Sequence, residues 1–168
     1  MKKKILDETI ALIHEKIPEL SRKPILIGGK AMEYYGMRKA GKDIDIVICN
    51  EDYQKLAVMY PNERKDLYGD LGVVLWPLEI WRSIALLDYD FYQEHAVEYD
   101  RIKVVSLERL LFMRVIAREV EKYNTDLDLM VDYYYDQFRN KDYLANAETH
   151  IASYEKYRGG IFGGNYDE

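Results

Sequence analysis

Hydrophobic and polar residues alternate along the chain with two periods, one typical of helices and one typical of strands. Apolar residues at helical spacing predict an amphipathic first helix that ends near Pro18, and they are Leu6, Ile10, Ile13 and Ile17. The segment PILIGG then predicts a short buried strand that enters a glycine turn, and KAMEYYG predicts a short helix. After the basic loop MRKAGK, the strict alternation of DIDIVI predicts a second strand.

The second half of the chain continues this mixture of periods. EDYQKLAVMY predicts a helix that ends at Pro61, GVVLWPLEIW predicts two strands broken at Pro77, and IKVV predicts one more strand. Ser106 is a suitable N-cap for a helix over LERLLFMRVIAREVEKY, and TDLDLMVDYYYDQF predicts another helix. The buried stripe of the first of these two helices is expected to contain Leu107, Leu110, Leu111 and Ile116.

The order of these elements predicts an α/β or α+β fold, built on a small mixed sheet with flanking helices. We expect this core to span residues 1–105. A C-terminal helical segment over residues 106–168 is expected to pack on the core. Frequent glycines predict a frayed tail from about residue 158.

Composition and charge narrow the class of protein. With 168 residues and 48% hydrophobic content, the chain is long enough to form one domain with a sizeable core. Its net charge of -6 argues against a protein that mainly grips the phosphates of duplex nucleic acid, because clustered Lys and Arg provide that affinity. We therefore expect a free nucleotide or another small molecule as the ligand.

The opening MKKKILDETI begins like a signal peptide, but Asp7 and Glu8 interrupt it before an apolar region develops. The sequence also contains no run of 18 apolar residues, so we expect a cytoplasmic protein without a membrane partner. Cys49 is the single cysteine, which excludes an internal disulfide and indicates a small buried thiol.

The segment DIDI is the first of three places where the sequence concentrates chemistry. Because side chains alternate across a strand, Asp43 and Asp45 project from one face, with Cα atoms roughly 6.5 to 7 Å apart. Like charges at that separation destabilise a fold unless a cation neutralises them, and a divalent metal ion would do so. The alternative is a solvent-facing strand whose polar positions are aspartates, although strands disfavour aspartate.

Gly28 and Gly29 are the second place, where a strand passes into a helix. Glycines at such a point let backbone N–H groups approach an anion closely, which suits a phosphate. The pair belongs to neither the GxGxxG nor the Walker motif, so an ordinary tight turn remains the alternative.

Glu79 is the third place, since it lies in WPLEIW between apolar residues. A carboxylate is costly to bury in such surroundings without a partner. If its strand lies beside DIDI, Glu79 points towards the same metal cluster as the aspartates. Otherwise it is a glutamate on an edge strand that reaches solvent.

Together, GGKAMEYYGMRKAGKDIDI and the later LEI resemble the nucleotidyltransferase superfamily whose best-known fold member is DNA polymerase β. Its members show a Gly-Gly or Gly-Ser turn, a short helix, a loop, a strand carrying Asp-hydrophobic-Asp, and a third carboxylate on a later strand. RIKVVSLERLLFMR also resembles the strand and helix after the catalytic core of toxin-type and lincosamide-type nucleotidyltransferases. The resemblance covers roughly residues 20 to 130 and implies a nucleotidyltransferase fold.

The resemblance implies a role for each motif residue. Gly28 and Gly29 would hold the triphosphate, Asp43 and Asp45 would bind one or two Mg²⁺ ions, and Glu79 would be the third catalytic carboxylate. Hard carboxylate oxygens suit Mg²⁺ on their own chemistry, and the three histidines are too scattered to suggest zinc. Two ions about 3.5 to 4 Å apart would activate the acceptor oxygen and stabilise the pyrophosphate leaving group.

Positive charge near the triphosphate is expected from the loop that follows the glycine turn. Its candidate phosphate ligands are Lys30, Arg38, Lys39 and Lys42. Arg114 is a further candidate, because related sequences often place a lysine at that point of the helix. For each of these residues the alternative is a solvated surface cation.

The activity that the resemblance implies is transfer of a nucleoside monophosphate, AMP from ATP in the expected case, to a hydroxyl group. The acceptor would be a small molecule, a protein or a tRNA end. Antibiotic modification and toxin–antitoxin systems are the implied settings, with a homodimer or an antitoxin as partner. The rival hypothesis is a non-catalytic nucleotide-binding or interaction module that keeps the same fold.

Overall fold

The computed structural model describes the backbone of residues 1–139 and the side chains of residues 1–136. It is a mixed α+β structure. The helices are α1 Lys2–Lys16, α2 Gly28–Tyr34, α3 Asn50–Met59, α4 Tyr89–Gln93, α5 Leu107–Ile116 and α6 Glu121–Arg139. The strands are β1 Ile25–Leu26, β2 Ile44–Val47, β3 Arg64–Leu67, β4 Asp70–Leu75, β5 Leu78–Trp81, β6 Ser83–Ile84, β7 Leu87–Asp88, β8 Val97–Glu98 and β9 Lys103–Val104.

Seven of these strands form one mixed sheet in the order β3-β4-β5-β2-β1-β9-β8, and β6 and β7 form a separate hairpin. At the centre of the sheet, β2 runs parallel to β5 and antiparallel to β1. A hairpin, β3–β4, extends the sheet beyond β5 with antiparallel pairing. The expected mixed sheet with flanking helices is therefore present.

One face of the central strands forms the core. Ile46 and Ile80 are register partners and are completely buried, as are the side chains of Leu78 and Val73. Because side chains alternate across a strand, the residues between them project from the opposite face. That second face carries the acidic residues of β2 and β5.

Most of the predicted elements are confirmed, and the short ones are the exceptions. The first helix, the glycine turn with its helix, the DIDIVI strand and the two strands around Pro77 all form where the pattern indicated. Helix α4 and the strands β3, β6, β7 and β8 were not predicted. These segments are charged or only a few residues long, so their sequences show little hydrophobic periodicity.

The predicted helix from Leu107 onward is wrong in its length and in its buried stripe. Helix α5 ends at Ile116, and α6 begins at Glu121 after a turn. Leu110 is buried as expected, but Ile116 is 44% exposed and the charged Arg114 is buried in its place. A paired charge can be buried, because an ion pair offsets the loss of hydration, and a pattern of apolar letters does not anticipate this.

The compact unit that contains the sheet spans Met1–Leu127, and a second unit begins at Asp128. Helix α5 and the start of α6 therefore belong to the unit that contains the sheet. The expected core over residues 1–105, with a C-terminal helical segment packed on it, stays a prediction. The predicted frayed tail from about residue 158 lies outside the described residues. Within the described chain, no helix has both the length and the apolar character needed to cross a bilayer.

Candidate functional site

The register of β2 and β5 places two carboxylates side by side. Asp45 pairs with Glu79 across the parallel strands, so both side chains project from the same face of the sheet. Neighbouring strands lie about 4.8 Å apart, so the two side chains leave the sheet as direct neighbours. From the sequence alone, this arrangement was predicted only for the case in which the two strands are adjacent.

Asp43 immediately precedes β2 and is exposed, while Asp45 and Glu79 are partly buried. All three carboxylates line one open cavity of about 690 Å³. The structure thus brings the three predicted acidic residues to the same cavity.

Gly28 lies directly against Asp45. Its φ of +63° is in the left-handed region, and a Cβ atom added there would lie 2.5 Å from Oδ2 of Asp45. Any residue other than glycine would therefore combine backbone strain with a steric conflict. The glycine turn is needed for this close approach, and its backbone lines the cavity beside the carboxylate.

Asp45 occupies an electrostatically unfavourable position. Burial, together with repulsion from Glu79 and Asp43, raises the pKa of Asp45 to about 6. The indole Nε1 of Trp81 donates to Asp45 Oδ1 at 3.4 Å and, like the charge of Arg114, lowers this pKa in part. Among the described side chains, no Lys or Arg forms an ion pair with any of the three carboxylates.

The acidic residues share their face of the sheet with an aromatic ring and a lysine. The indole of Trp81 lies on Gly72, where an added Cβ would be 2.8 Å from the ring atom Cε3. Lys65 Nζ lies 5.4 Å from the centroid of the same ring, within cation–π range. Trp81 and Lys65 both line the cavity next to Glu79.

The cations predicted in the loop lie elsewhere. Lys30 pairs with Glu33 at 3.0 Å, and Arg38 binds Asp126 through two hydrogen bonds. Lys39 and Lys42 are exposed. None of these four side chains lines the cavity.

Three other cations line it, namely Lys65, Arg114 and Lys122. Sequence reasoning had considered Arg114 but missed the two lysines. Lys65 belongs to the unpredicted strand β3, and its partner in the register is Gly72 of β4. The alternation in β4 and β5 would have placed Lys65 on the acidic face only if the β3–β4 hairpin had been recognised.

Two tight turns form part of the cavity rim. Tyr68 and Gly69 connect β3 to β4, and Ala85 and Leu86 connect β6 to β7, all with positive φ. Positive φ at both central residues is typical of type I′ hairpin turns, which suit glycine or asparagine better than leucine. Asp70 holds the second turn by accepting hydrogen bonds from the backbone N–H groups of Ala85 and Leu86, at 2.7 and 2.8 Å.

These carboxylates supply some, but not all, of the ligands that a metal ion needs. Within residues 1–136, no three His, Cys, Asp or Glu side chains are close enough to form a complete metal site. However, Mg²⁺ is commonly held by one or two carboxylates together with substrate phosphates and water. The carboxylates of Asp45 and Glu79 are neighbours across the two strands and form no ion pair with a Lys or Arg of residues 1–136, so they fit that mode of binding.

Comparison of the chain with protein-family models, with curated proteins and with solved structures found no match.

Proposed function

We propose that this chain is a metal-dependent nucleotidyltransferase with the nucleotidyltransferase fold. It would transfer a nucleoside monophosphate, AMP from ATP in the simplest case, to a hydroxyl group of a small-molecule, protein or tRNA acceptor. The observation that carries the proposal is the pairing of Asp45 with Glu79 on adjacent strands, directly beside the left-handed Gly28. Antibiotic modification or a toxin–antitoxin system is the setting that this activity would suit.

Asp45 and Glu79 would hold Mg²⁺ together with substrate phosphates and water, and Asp43 would add negative charge at the edge of the same cavity. When bound, the metal would supply positive charge to the phosphates and to the leaving group. The reaction would form a bond between the acceptor oxygen and the α-phosphorus and break the bond from that phosphorus to pyrophosphate. Glu79 is a candidate acceptor for the hydroxyl proton.

The remaining cavity residues would bind and orient the nucleotide. Gly28 lines the cavity beside Asp45, and the positive charges of Arg114, Lys122 and Lys65, which line the same cavity, suit the triphosphate. Donors that are fixed before the substrate arrives stabilise developing charge without the cost of reorganisation.

Label transfer tests the proposal directly. The full chain is incubated with α-labelled ATP, Mg²⁺ and a panel of hydroxyl acceptors, and labelled product is measured. We expect transfer that chelation abolishes and that Asp45→Asn reduces by about a thousandfold or more, since that variant loses a metal ligand. Asp7→Asn, the same change on an exposed part of α1, is the matched control and should be fully active. Equal activity of Asp45→Asn and the parent would refute the proposed metal role.

A non-catalytic nucleotide-binding module is the second candidate. The cations that line the cavity, Lys65, Arg114 and Lys122, favour it, because they could bind a triphosphate without any catalytic step. In that case, ATP would raise the melting temperature of the chain, because a ligand of the folded state stabilises it. Label transfer would then be absent for every acceptor in the panel.

A further inference from the structure

Asp126 of α6 connects two arginines that come from different parts of the chain. Its carboxylate accepts hydrogen bonds from Arg38 Nε at 2.5 Å and from Arg38 Nη2 at 3.0 Å. Arg114 Nε lies 2.9 Å from Oδ2 of the same carboxylate. Because two guanidinium groups share one carboxylate, the cluster has one excess positive charge.

Two of the three side chains in this cluster are removed from water, whereas the Arg38 side chain is 32% exposed. The side chains of Asp126 and Arg114 are only 3% and 5% exposed, and the guanidinium of Arg114 lies over the ring of Tyr123, 4.4 Å from its centroid. Although the Arg114 Nε is at ion-pair distance from Asp126, it has no hydrogen bond within the described residues. A buried guanidinium with an unsatisfied donor is unfavourable unless a further hydrogen-bond acceptor, such as an anionic ligand, joins it.

One arginine lines the candidate nucleotide cavity, and the other lies against the glycine turn next to it. A Cβ atom added to Gly29 would be 3.6 and 3.7 Å from Nη1 and Nη2 of Arg38, so that guanidinium lies against the glycine turn. Arg114 lines the cavity together with Gly28 and Asp45. Asp126 therefore fixes one arginine against the turn and another in the cavity wall.

We propose that Asp126 is a positioning residue for polyphosphate binding: it orients Arg38 and Arg114 so that Arg114 presents its charge to the phosphates. The inference rests on the proposed function for the identity of the ligand. It goes beyond that function by assigning a role to an acidic residue that is expected to touch neither metal nor nucleotide.

The direction in which removal of Asp126 changes anion binding distinguishes a positioning role from a purely electrostatic one. If Asp126 acted only as a negative charge near the cavity, its removal would strengthen the binding of an anion. If it positions the arginines, its removal weakens the binding, because a fixed guanidinium loses less freedom when it forms its hydrogen bonds.

The test is calorimetric titration of the full chain with inorganic tripolyphosphate in the absence of divalent metal. We expect the parent to bind this anion and Asp126→Asn to bind it about tenfold more weakly or worse. Asp128→Asn makes the same chemical change at an exposed position of the same helix and should bind within about twofold of the parent. Unchanged or tighter binding by Asp126→Asn would overturn the proposal, as would a parent that does not bind tripolyphosphate.

Melting temperatures of the same samples separate positioning from a purely structural role. A less stable Asp126→Asn variant that still binds tripolyphosphate like the parent overturns the proposal. If this variant does not fold, Arg38→Lys decides instead, because it keeps the charge but loses the paired hydrogen bonds to Asp126. Weaker tripolyphosphate binding by Arg38→Lys supports positioning, and unchanged binding overturns it.

The two proposals fail in different ways. If the parent chain transfers no label but still binds tripolyphosphate more tightly than Asp126→Asn, the proposed function is overturned and the role of Asp126 stands. Intact label transfer, with Asp126→Asn binding tripolyphosphate like the parent, overturns the role of Asp126 alone.

Discussion

The two faces of β2 and β5 come from alternate residues of the same short strands, yet they have opposite physical properties. On one face Ile44, Ile46, Leu78 and Ile80 are at most 8% exposed. On the other face Asp45 and Glu79 are direct neighbours without an ion-pair partner among the described residues. The apolar face stabilises the fold, whereas the acidic face opposes it.

This difference shows how a stable sheet can hold an unfavourable site. Full burial of an apolar side chain contributes about 1.5 to 3 kcal/mol, so the four residues of the apolar face can offset the repulsion on the acidic face. Departures from locally favourable choices are expected at functional positions. Substitutions on each face, and at the contact between Gly28 and Asp45, separate the stabilising contribution from the opposing one.

Truncation of the apolar face should have the largest effect on stability. Ile46→Ala removes a completely buried side chain from the centre of the sheet and should lower the free energy of unfolding by about 3 kcal/mol. Val58→Ala, at a position that is 81% exposed on α3, should change it by less than about 0.5 kcal/mol. Denaturant unfolding measures both, and similar values for the two variants would show that this face does not carry the stability.

The close approach between Gly28 and Asp45 should give the next largest effect. Gly28→Ala combines left-handed backbone strain with a conflict against Asp45, whereas Gly36→Ala has a φ of +80° but no atom within 4 Å of the added Cβ. We expect Gly36→Ala to lower the free energy of unfolding by about 1 kcal/mol, and Gly28→Ala to lower it by about 2 kcal/mol more than that. Unfolding experiments give this difference.

Shortening Asp45 provides the control for this comparison. In an Asp45→Ala background, the excess cost of Gly28→Ala over Gly36→Ala should shrink, since the nearest side-chain oxygen has been removed. A constant excess cost in both backgrounds would mean that the strain does not involve Asp45.

The charge of Asp45 should make stability depend on pH. Its pKa of about 6 in the folded protein exceeds the ordinary value of 3.8, so the folded state binds more protons between these values. The contribution of this group to stability is therefore complete below about pH 3.8 and is lost as pH rises through about 6. Asp45→Asn should consequently match the parent near pH 4 and be more stable by roughly 1 to 2 kcal/mol near pH 8.

Unfolding curves over this pH range, without divalent metal, measure the effect of Asp45→Asn. Added Mg²⁺ should increase the stabilisation of the parent by ATP and leave the stabilisation of the variant by ATP largely unchanged, because only the parent keeps both neighbouring carboxylates. An Asp45→Asn variant that is less stable than the parent near pH 8 would contradict the assignment of an unfavourable charge.

The smallest expected effect concerns the hydrogen bond from Trp81 to Asp45. Trp81→Phe removes the Nε1 donor, which lies 3.4 Å from Asp45 Oδ1, and should raise the pKa of Asp45 further. Since this hydrogen bond is long, we expect a stability change of less than about 1 kcal/mol. A carboxyl titration by NMR gives the direction, and a lowered pKa would contradict the role of the indole.

Local sequence pattern determined the main elements of the core and the chemistry of the acidic face. In DIDIVI, the alternation of Asp with Ile determines both the strand and the face on which Asp43 and Asp45 project. The two glycines predicted the turn. The apolar runs on both sides of Pro77 predicted β4 and β5, and β5 contains Glu79. These predictions succeeded because they depend on interactions between residues that are close in sequence.

Only the tertiary structure decided which side chains meet. The adjacency of β2 and β5 made Glu79 the neighbour of Asp45, and the β3–β4 hairpin brought Lys65 to the same face. Asp126 binds Arg38, for which the sequence had left phosphate and solvent as alternatives, and it also pairs with the buried Arg114. The physical reason is that strand adjacency and ion pairing join residues far apart in the chain, and no local period of hydrophobic and polar positions records those contacts.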